Sequence, residues 1–473
     1  LTQDIAELPV PDMGGIDAAA QQEETAAADD RDASRLFDFY SWQRGGLPYL
    51  RENQRLIEAK LANTDKGTES AAVFLEMALL YLANGFGHEA YGALRAALHE
   101  NPDLDKNPGF LAVRGGASVL AGFYQEAIRD LSVPGLKDHP EARMWRGYAA
   151  AASEQWLLAG EMFPNNNKIV ARYPPEFAVP FMLYMAESSL RLGDTTRARG
   201  LLNALEPLLA DMQPHHYAAM QYLAGEEYRQ EGEPVKALQT WFKVAGGRNR
   251  LYHAKSSLSI VQLLRQIGRI TDEDALDRLE TLRYAWRGDG LEIQLLHAIA
   301  SLHLDKQRYI EGLRELRRAV DLSEEILYDS GLLIDDMTKI YSKLYVDGEA
   351  SKLPAFEAVA LYNGFKELMP AGSASIVAEQ NYADYLVRMD LLEDAAKIFE
   401  KQIAKDLQDP LKIAETGTRL ATVYLRDNKA KEALSAIQRS GRQDMPQDLV
   451  RRPELLRARA LSDWGRSGEA RKV

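Results

Sequence analysis

The sequence predicts an all-α protein, an α-solenoid of stacked helix-turn-helix repeats. Two observations predict it: a small residue recurs along most of the chain, usually at steps of 37 to 39 residues, and a Gly, Asn or Asp precedes it by five residues in seven places. These three residue types tolerate the left-handed backbone conformation that ends a helix. Each unit is therefore expected to be a helix, a tight turn and a second helix, with the small residue where the two helices approach closely.

Composition and charge exclude several classes of protein. The 473 residues carry 57 Lys and Arg against 70 Asp and Glu, a net charge of −13, which argues against a nucleic-acid-binding role. The chain has no cysteine, so disulfides, Cys-ligated zinc and thiol catalysis are excluded. The most apolar stretch runs from Ala71 to Ala83 and is interrupted by Glu76, which is too short to span a bilayer.

The chain begins with an acidic segment, residues 1–33, which holds nine acidic residues and one basic residue. It contains two prolines and two glycines without a sustained apolar period, and this predicts a mobile or extended linker. An acidic arm for a basic partner and an extended strap on the solenoid surface are the alternatives. Residues 34–67 are predicted to form an N-terminal helical cap, because aromatic residues begin there with Phe37 and Phe39.

The repeats are predicted to occupy residues 68–325 and 372–473. Their small residues are Ala90, Ala127, Ala159, Ala198, Ala237, Ala275, Gly312, Ala395, Ala433 and Ala470. The gap of 83 residues before Ala395 is close to two steps, which predicts a degenerate repeat with a bend at residues 326–371. The last helix begins at Glu469 and has only five residues, so we expect the sequence to be cut within a repeat.

Several units resemble the tetratricopeptide repeat, a 34-residue helix-turn-helix unit. The residues that carry the resemblance are Ala224-Gly225, Tyr228 and Trp241 before and after Ala237; Phe74, Met77-Ala78, Tyr81, Leu94, Ala97 and Pro102 around Ala90; and Leu420-Ala421, Tyr424 and Ile437 around Ala433. The resemblance covers about residues 68–473, with longer spacing than in the family. It implies a right-handed superhelix in which the first helix of each unit lines a concave groove.

The resemblance also implies which residues line that groove, at the second, fifth, ninth and twelfth places of each first helix. The candidate binding residues are Met144, Tyr148, Glu187, Tyr222, Glu226, Arg229, Gln380, Asp384 and Arg459. Tyr and Arg often anchor interfaces, because they combine contact area with hydrogen bonding. The Lys and Asn lining of tetratricopeptide domains that clamp a terminal carboxylate is absent from these places, which disfavours a chaperone-tail receptor.

No pattern in the sequence predicts catalysis. The eight histidines form no HExxH motif, and there is no GxxxxGK[ST] loop or GxGxxG motif after a strand. Acidic pairs are abundant but cannot be assigned as acid and base without a pocket. We therefore expect no catalytic residue, no cofactor and no metal ligand, and a protein that is not an enzyme.

The sequence predicts a non-enzymatic scaffold that binds a partner protein or peptide along the groove. A resemblance to long repeat proteins of Gram-negative envelopes implies a periplasmic or envelope setting, in a secretion, pilus or flagellar-motor machine. One alternative is the substrate-docking arm of an enzyme whose catalytic domain lies outside this sequence. Another is a structural spacer that self-associates through its open ends.

Overall fold

The computed structural model describes residues 35–210, 212–326, 329–406, 409–440 and 447–473. Within these ranges it contains helices and connecting turns but no β-strand, which confirms the predicted all-α class. The predicted acidic segment, residues 1–33, lies outside the described residues. The chain divides into two compact units, unit 1 up to Ala285 and unit 2 from Trp286 onward. This boundary falls inside the stretch of repeats predicted for residues 68–325.

The α-helices follow one another with short connections. In unit 1 they are α1 (Phe39–Trp42), α2 (Leu50–Ala62), α3 (Thr68–Ala83), α4 (Gly87–Glu100), α5 (Pro108–Leu120), α6 (Tyr124–Asp130), α7 (Pro140–Ala152), α8 (Trp156–Met162), α9 (Pro175–Arg191), α10 (Thr195–Ala204), α11 (Pro214–Gln230), α12 (Pro234–Ala245), α13 (Arg250–Gln266) and α14 (Asp272–Ala285). In unit 2 they are α15 (Gly290–Asp305), α16 (Tyr309–Glu325), α17 (Gly331–Tyr345), α18 (Ala355–Gly364), α19 (Ser373–Arg388), α20 (Leu392–Lys401), α21 (Pro410–Arg426), α22 (Ala430–Ser440), α23 (Gln447–Asp463) and α24 (Ser467–Ala470).

Short 3-10 and π segments join some of these helices. The 3-10 segments are Leu47–Tyr49, Pro102–Lys106, Val170–Arg172, Glu206–Leu208, Glu349–Lys352 and Lys366–Leu368, and the π segment is Gln402–Asp406. From α3 onward in unit 1 the odd-numbered helices are the first helices of the hairpins, and the even-numbered helices are the second.

The turns of seven hairpins have the predicted left-handed residue. All seven predicted turn residues have φ between 56° and 83°: Gly85, Gly122, Gly193, Gly232, Asp390, Asn428 and Gly465. Glu154 and Gln307 adopt the same conformation, with φ of 57° and 58°, five residues before Ala159 and Gly312. The turn is thus a property of the hairpin geometry, which can impose a left-handed backbone on residue types that rarely adopt it.

Close packing explains the small residues. Ala237 and Ala90 are completely buried, each in the first turn of a second helix. A Cβ at Gly225 would contact the Trp241 ring on the opposite helix of the hairpin. These contacts show that the helix pairs approach too closely for larger side chains at the crossing.

Each unit builds its core from helices that are neighbours in sequence. Helices α3 and α4, α11 and α12, α15 and α16, and α21 and α22 pack as pairs, and each pair packs against the next within its unit. One continuous hydrophobic core in unit 1 extends from Leu36 to Leu223. Unit 2 has one core from Ile293 to Tyr385 and another from Ala383 to Leu461. Local pairing with sequential stacking is the architecture of a solenoid.

The segment predicted as a degenerate repeat contains the hairpin α17–α18. Gly348, with φ of 81°, takes the left-handed conformation after α17. Tyr341 and Tyr345 fill the centre of this hairpin and are completely buried. The Tyr345 hydroxyl donates to the Ala358 carbonyl at 2.6 Å, which ties α17 to α18.

Residues 35–42, which we call the N-terminal strap, cross the first helices of unit 1. Phe37 is completely buried, with its ring 4.7 Å from that of Trp145 on α7 and in contact with Gly116 on α5. Phe39 is also completely buried and stacks on Phe177 of α9, with ring centroids 4.1 Å apart. The strap is therefore part of the core and covers three consecutive first helices.

A buried carboxyl group fixes the start of the strap. The Leu36 backbone N–H donates to one Glu141 oxygen at 2.6 Å, and the Tyr173 hydroxyl donates to the other at 2.5 Å. Glu141 is only 4% exposed. Burial raises the pKa of Glu141 above its ordinary value, although the hydrogen bonds from Tyr173 and Leu36 oppose that rise.

Candidate functional site

Six of the nine predicted binding residues lie on three consecutive first helices of unit 1, and five of them, all except the completely buried Met144, form the candidate site. Tyr148 is on α7, Glu187 on α9, and Tyr222, Glu226 and Arg229 on α11. Helix α9 packs against both α7 and α11, and α11 packs against α13. The structure thus brings these five residues onto one surface, beyond the part that the strap covers.

Lys255 on α13 is at the centre of this surface. Its ammonium group lies 3.6 Å from a Glu187 carboxylate oxygen and 5.7 Å and 5.6 Å from the ring centroids of Tyr222 and Tyr252. The Lys255 side chain is 18% exposed. Burial alone would lower the pKa of Lys255, but the Glu187 carboxylate holds it above its ordinary value, so the ammonium stays charged.

The Glu187 carboxylate forms ion pairs with two cations, and both pairs are longer than a typical charge-assisted hydrogen bond. Arg191, one helical turn further along α9, lies 3.5 Å from the same Glu187 oxygen that faces Lys255. Both distances exceed the 2.7–2.9 Å that is typical of charge-assisted hydrogen bonds. The Arg191 guanidinium also lies over the Trp156 ring at 5.2 Å, and Glu154 adds a second carboxylate to its electrostatic environment.

Tyrosine rings form the walls of the site. The Tyr148 ring packs edge-on against Tyr184 at 4.8 Å, and the Tyr222 ring lies 5.9 Å from that of Tyr252. The Tyr222 hydroxyl lies 3.5 Å from the Ser259 hydroxyl. Burial raises the pKa of Tyr252 to about 12, so its phenol is protonated at neutral pH. The walls therefore combine apolar ring faces with neutral hydroxyl groups. We call Tyr148, Tyr184, Glu187, Arg191, Tyr222, Tyr252 and Lys255 the lysine site.

Glu226 and Arg229 form a separate pair next to the lysine site. The Arg229 Nε atom lies 3.0 Å from a Glu226 carboxylate oxygen. The Gln230 side-chain amide donates to Glu226 and to the Leu190 carbonyl, both at 2.9 Å. The bond to Leu190 ties α11 to the end of α9, and these are two of the four helices that carry the site.

Met144 is on the same face of α7 but is not accessible. It is completely buried, and it belongs to the core that contains Leu36, Phe37 and Phe39. Two neighbouring residues on α7 contact the strap: Glu141 accepts a hydrogen bond from the Leu36 backbone N–H, and the Trp145 ring stacks against Phe37. Met144 is therefore a core residue and is not available to a partner in the described structure.

The three remaining predicted residues belong to unit 2. The Gln380 amide on α19 donates to the Thr416 hydroxyl on α21 at 3.1 Å. Asp384, one turn later, lies 3.6 Å from an Arg419 guanidinium nitrogen. Arg459 on α23 pairs with Asp463 of its own helix at 3.7 Å. Gln380 and Asp384 thus face one neighbouring helix, whereas Arg459 contacts neither of them in the described structure.

Sequence reasoning missed Lys255, because the turn that follows its helix, α13, is longer than the turns of the neighbouring hairpins. The turn between α13 and α14 places its left-handed residue at Gly268, seven residues before Ala275 rather than five. Counting back from Ala275 therefore displaces every place on α13 by two residues. Counting from Gly268 would have put Lys255 at the second place, which lines the groove in the family resembled.

Other kinds of site are not found in the part of the chain that the structure describes. No group of three or more His, Asp or Glu residues there has a geometry suited to a metal ion. No helix among the described residues is long and apolar enough to cross a membrane.

Comparisons with known proteins give likenesses in fold only. No protein-family model matches the chain. No curated protein matches it. Among solved structures, a Rap protein complexed with competence and sporulation factor aligns over 77% of this chain and 99% of its own, with 14% identity and a TM-score of 0.44. Cut9 in the APC/C Cut9–Hcn1 heterotetramer aligns over 89% and 81%, with 13% identity and a TM-score of 0.35. Yeast Tom70 aligns over 92% and 96%, with 14% identity and a TM-score of 0.27.

These low identities and TM-scores say nothing about what the chain binds. The fold is established by the geometry of the chain itself. Left-handed residues close the hairpins, small residues lie where the paired helices meet, and consecutive hairpins pack within each unit. The described chain is a helical-repeat protein built from stacked helix-turn-helix hairpins, which is the fold that the resemblance to tetratricopeptide repeats predicted.

Proposed function

We propose that this protein is a non-enzymatic scaffold that binds a partner protein or peptide along the first helices of unit 1, at the lysine site. The observation that carries the proposal is the Lys255 side chain, which is 18% exposed and whose ammonium lies 5.7 Å and 5.6 Å from the ring centroids of Tyr222 and Tyr252. Tyr and charged groups in one partly desolvated cluster are typical of the residues that dominate binding energy at protein interfaces.

The chemistry of the site favours an extended segment with an acidic group. The tyrosine ring faces offer apolar contact, and their hydroxyls and the Lys255 ammonium offer donors to carboxylate or carbonyl oxygens. A partner would therefore place an acceptor at Lys255 and apolar side chains on Tyr148 and Tyr222. Recognition would use a surface that is already assembled in the free protein, which reduces the entropic cost of binding.

We also propose where in the cell this scaffold works. The resemblance to long envelope-associated repeat proteins favours a machine in a Gram-negative cell envelope, such as a secretion, pilus or flagellar-motor complex. Catalytic residues, a cofactor and nucleic acid have no part in the proposed function.

Site-specific photo-crosslinking in native cells tests the proposed function. A photoreactive phenylalanine replaces Tyr222 in one variant and Phe242 in a matched control, since Phe242 is an aromatic residue of α12 that is 54% exposed. We expect a discrete protein adduct from position 222 that disappears when Lys255→Gln is added, and no such adduct from position 242. Equal adducts from both positions, or an adduct at 222 that Lys255→Gln leaves unchanged, would contradict the proposal.

A further inference from the structure

The Lys255 ammonium has unused hydrogen-bonding capacity. A lysine ammonium has three N–H donors. Among the described contacts, Lys255 has an ion pair at 3.6 Å and two ring faces, and none of these is within hydrogen-bond distance. A largely enclosed charge that lacks hydrogen bonds costs free energy, so the lysine site favours an additional acceptor.

Arg191 is a second cation beside the Glu187 oxygen that Lys255 approaches. Its closest Glu187 contact is 3.5 Å, and it approaches the same carboxylate oxygen as Lys255 does. An additional carboxylate near this oxygen would have two cations to neutralise it, with Glu187, Glu154 and Glu226 as the carboxylates that oppose it. Tyr222 and Tyr252, whose ring centroids lie 5.7 Å and 5.6 Å from the Lys255 ammonium, carry neutral hydroxyl donors.

The chain itself carries a source of carboxylates next to this surface. Residues 1–33 hold nine acidic residues and one basic residue, a net charge of −8. This segment joins the described structure at Arg35, and the neighbouring Leu36 N–H is bonded to Glu141 of α7. The strap therefore anchors the acidic segment on the same set of first helices that carries the lysine site.

The distance to the lysine site is within reach of this segment. Helices α7, α9, α11 and α13 are successive neighbours. Packed helices lie about 8–10 Å apart, so α13 is about 30 Å from α7. An extended chain covers about 3.3 Å per residue, and about ten residues are enough. Glu24 and Glu23 precede Arg35 by eleven and twelve residues.

We propose that the chain's own acidic segment, residues 1–33, occupies the lysine site and places a carboxylate, from Glu23 or Glu24, against the Lys255 ammonium. A tethered segment has an effective concentration of millimolar order, which lets weak contacts hold it in place. The segment then competes with any acidic partner that binds there. This competition depends on the proposed function, whereas the occupancy itself does not.

Zero-length carbodiimide cross-linking of the intact chain, followed by peptide mass spectrometry, tests the occupancy. We expect Lys255 to be joined to Glu23 or Glu24, with a yield that falls at least ~5-fold in 1 M NaCl, where the Debye length is about 3 Å. Lys255 joined to Glu187 provides an internal positive control, because these groups are already 3.6 Å apart. Lys255–Glu187 products without any product from residues 1–33 would overturn the proposal.

Isotope mixing separates occupancy within one chain from exchange between chains. A mixture of ¹⁴N and ¹⁵N protein is cross-linked under the same conditions. Products within a single isotope support the proposal, and products that combine the two isotopes would show that a second copy supplies the carboxylate, which overturns it.

Lysine methylation gives a second measurement on the full chain if Lys255 forms no cross-link at all. In the proposed state, replacing all nine acidic residues of the segment by their amides raises the rate of reductive methylation of Lys255 about 3-fold or more, because a bound carboxylate shields the amine. Lys243, an exposed lysine of α12, should keep its rate. An unchanged Lys255 rate would overturn the occupancy, and loss of the photo-crosslinked adduct described above would bear only on the partner.

Discussion

The strap-covered surface and the lysine site lie on the same set of first helices in unit 1, yet they differ in what covers them. At the strap-covered surface, Phe37 and Phe39 of the strap are completely buried and the Glu141 carboxyl of α7 is bonded to the strap backbone. At the lysine site, the Lys255 side chain retains exposure and its ammonium makes no hydrogen bond with the described residues. The difference teaches that equivalent places in a repeat become core or remain partly exposed according to what lies over them.

The largest expected effect comes from removing a strap anchor. Phe39→Ala deletes a completely buried ring that stacks on Phe177, and we expect the free energy of unfolding of unit 1 to fall by about 3–5 kcal/mol. Tyr40→Ala is the control, because Tyr40 is 60% exposed and its loss should cost less than about 0.5 kcal/mol. Urea denaturation followed by circular dichroism measures both. Equal costs would mean that the strap is not part of the core.

A smaller effect on stability is expected where α11, which carries Tyr222 of the lysine site, crosses α12. Gly225→Ala would push a Cβ into the Trp241 ring, and we expect a loss of about 1–3 kcal/mol of stability from overpacking. Gly200→Ala in α10 is the matched control, because its Cβ would have open space. That change should stabilise the helix by about 0.5–1 kcal/mol. If both substitutions stabilised the protein, the close approach of α11 and α12 would be disproved.

The pH dependence of the strap should be smaller still. Burial raises the pKa of Glu141 above the 4.5 of a free glutamate, so the folded chain binds this proton more tightly than the unfolded chain. The contribution to stability is therefore full below pH 4.5 and is lost as the pH rises through the folded pKa. Urea denaturation from pH 4.5 to 7 should show that Glu141→Gln removes this decline, with an effect smaller than that of Phe39→Ala. A parallel pH profile in the variant would contradict this account.

The hairpins were predictable from local sequence, and the strap was not. Gly, Asn and Asp at a fixed offset reveal the turns because few residue types tolerate a left-handed backbone, although Glu154 and Gln307 adopt it without that sequence signal. The strap depends on contacts between residues far apart, such as Leu36 with Glu141. No periodicity encodes such contacts, so the sequence indicated aromatic residues near Phe37 without showing that Phe37 packs on Trp145 of α7.

The lysine site was predictable in part. Tyr148, Glu187 and Tyr222 follow from counting places in each unit, because consecutive first helices stack in register. Lys255 was not predicted, because Gly268 precedes the small residue Ala275 by seven residues, whereas the offset in the other units is five. A count that starts from the left-handed turn residue instead of the small residue tracks the register of the first helix, since the turn directly follows it.

The most direct test of the lysine site is the affinity of the partner captured at position 222, measured by calorimetry with the intact chain. We expect Lys255→Gln to weaken binding about tenfold or more, because it removes the enclosed charge at the centre of the site. Lys243→Gln makes the same change of charge on α12 and should leave the dissociation constant within about twofold, as expected for an exposed charge outside the interface. Equal affinities for the two variants would contradict the central claim that the partner binds at Lys255.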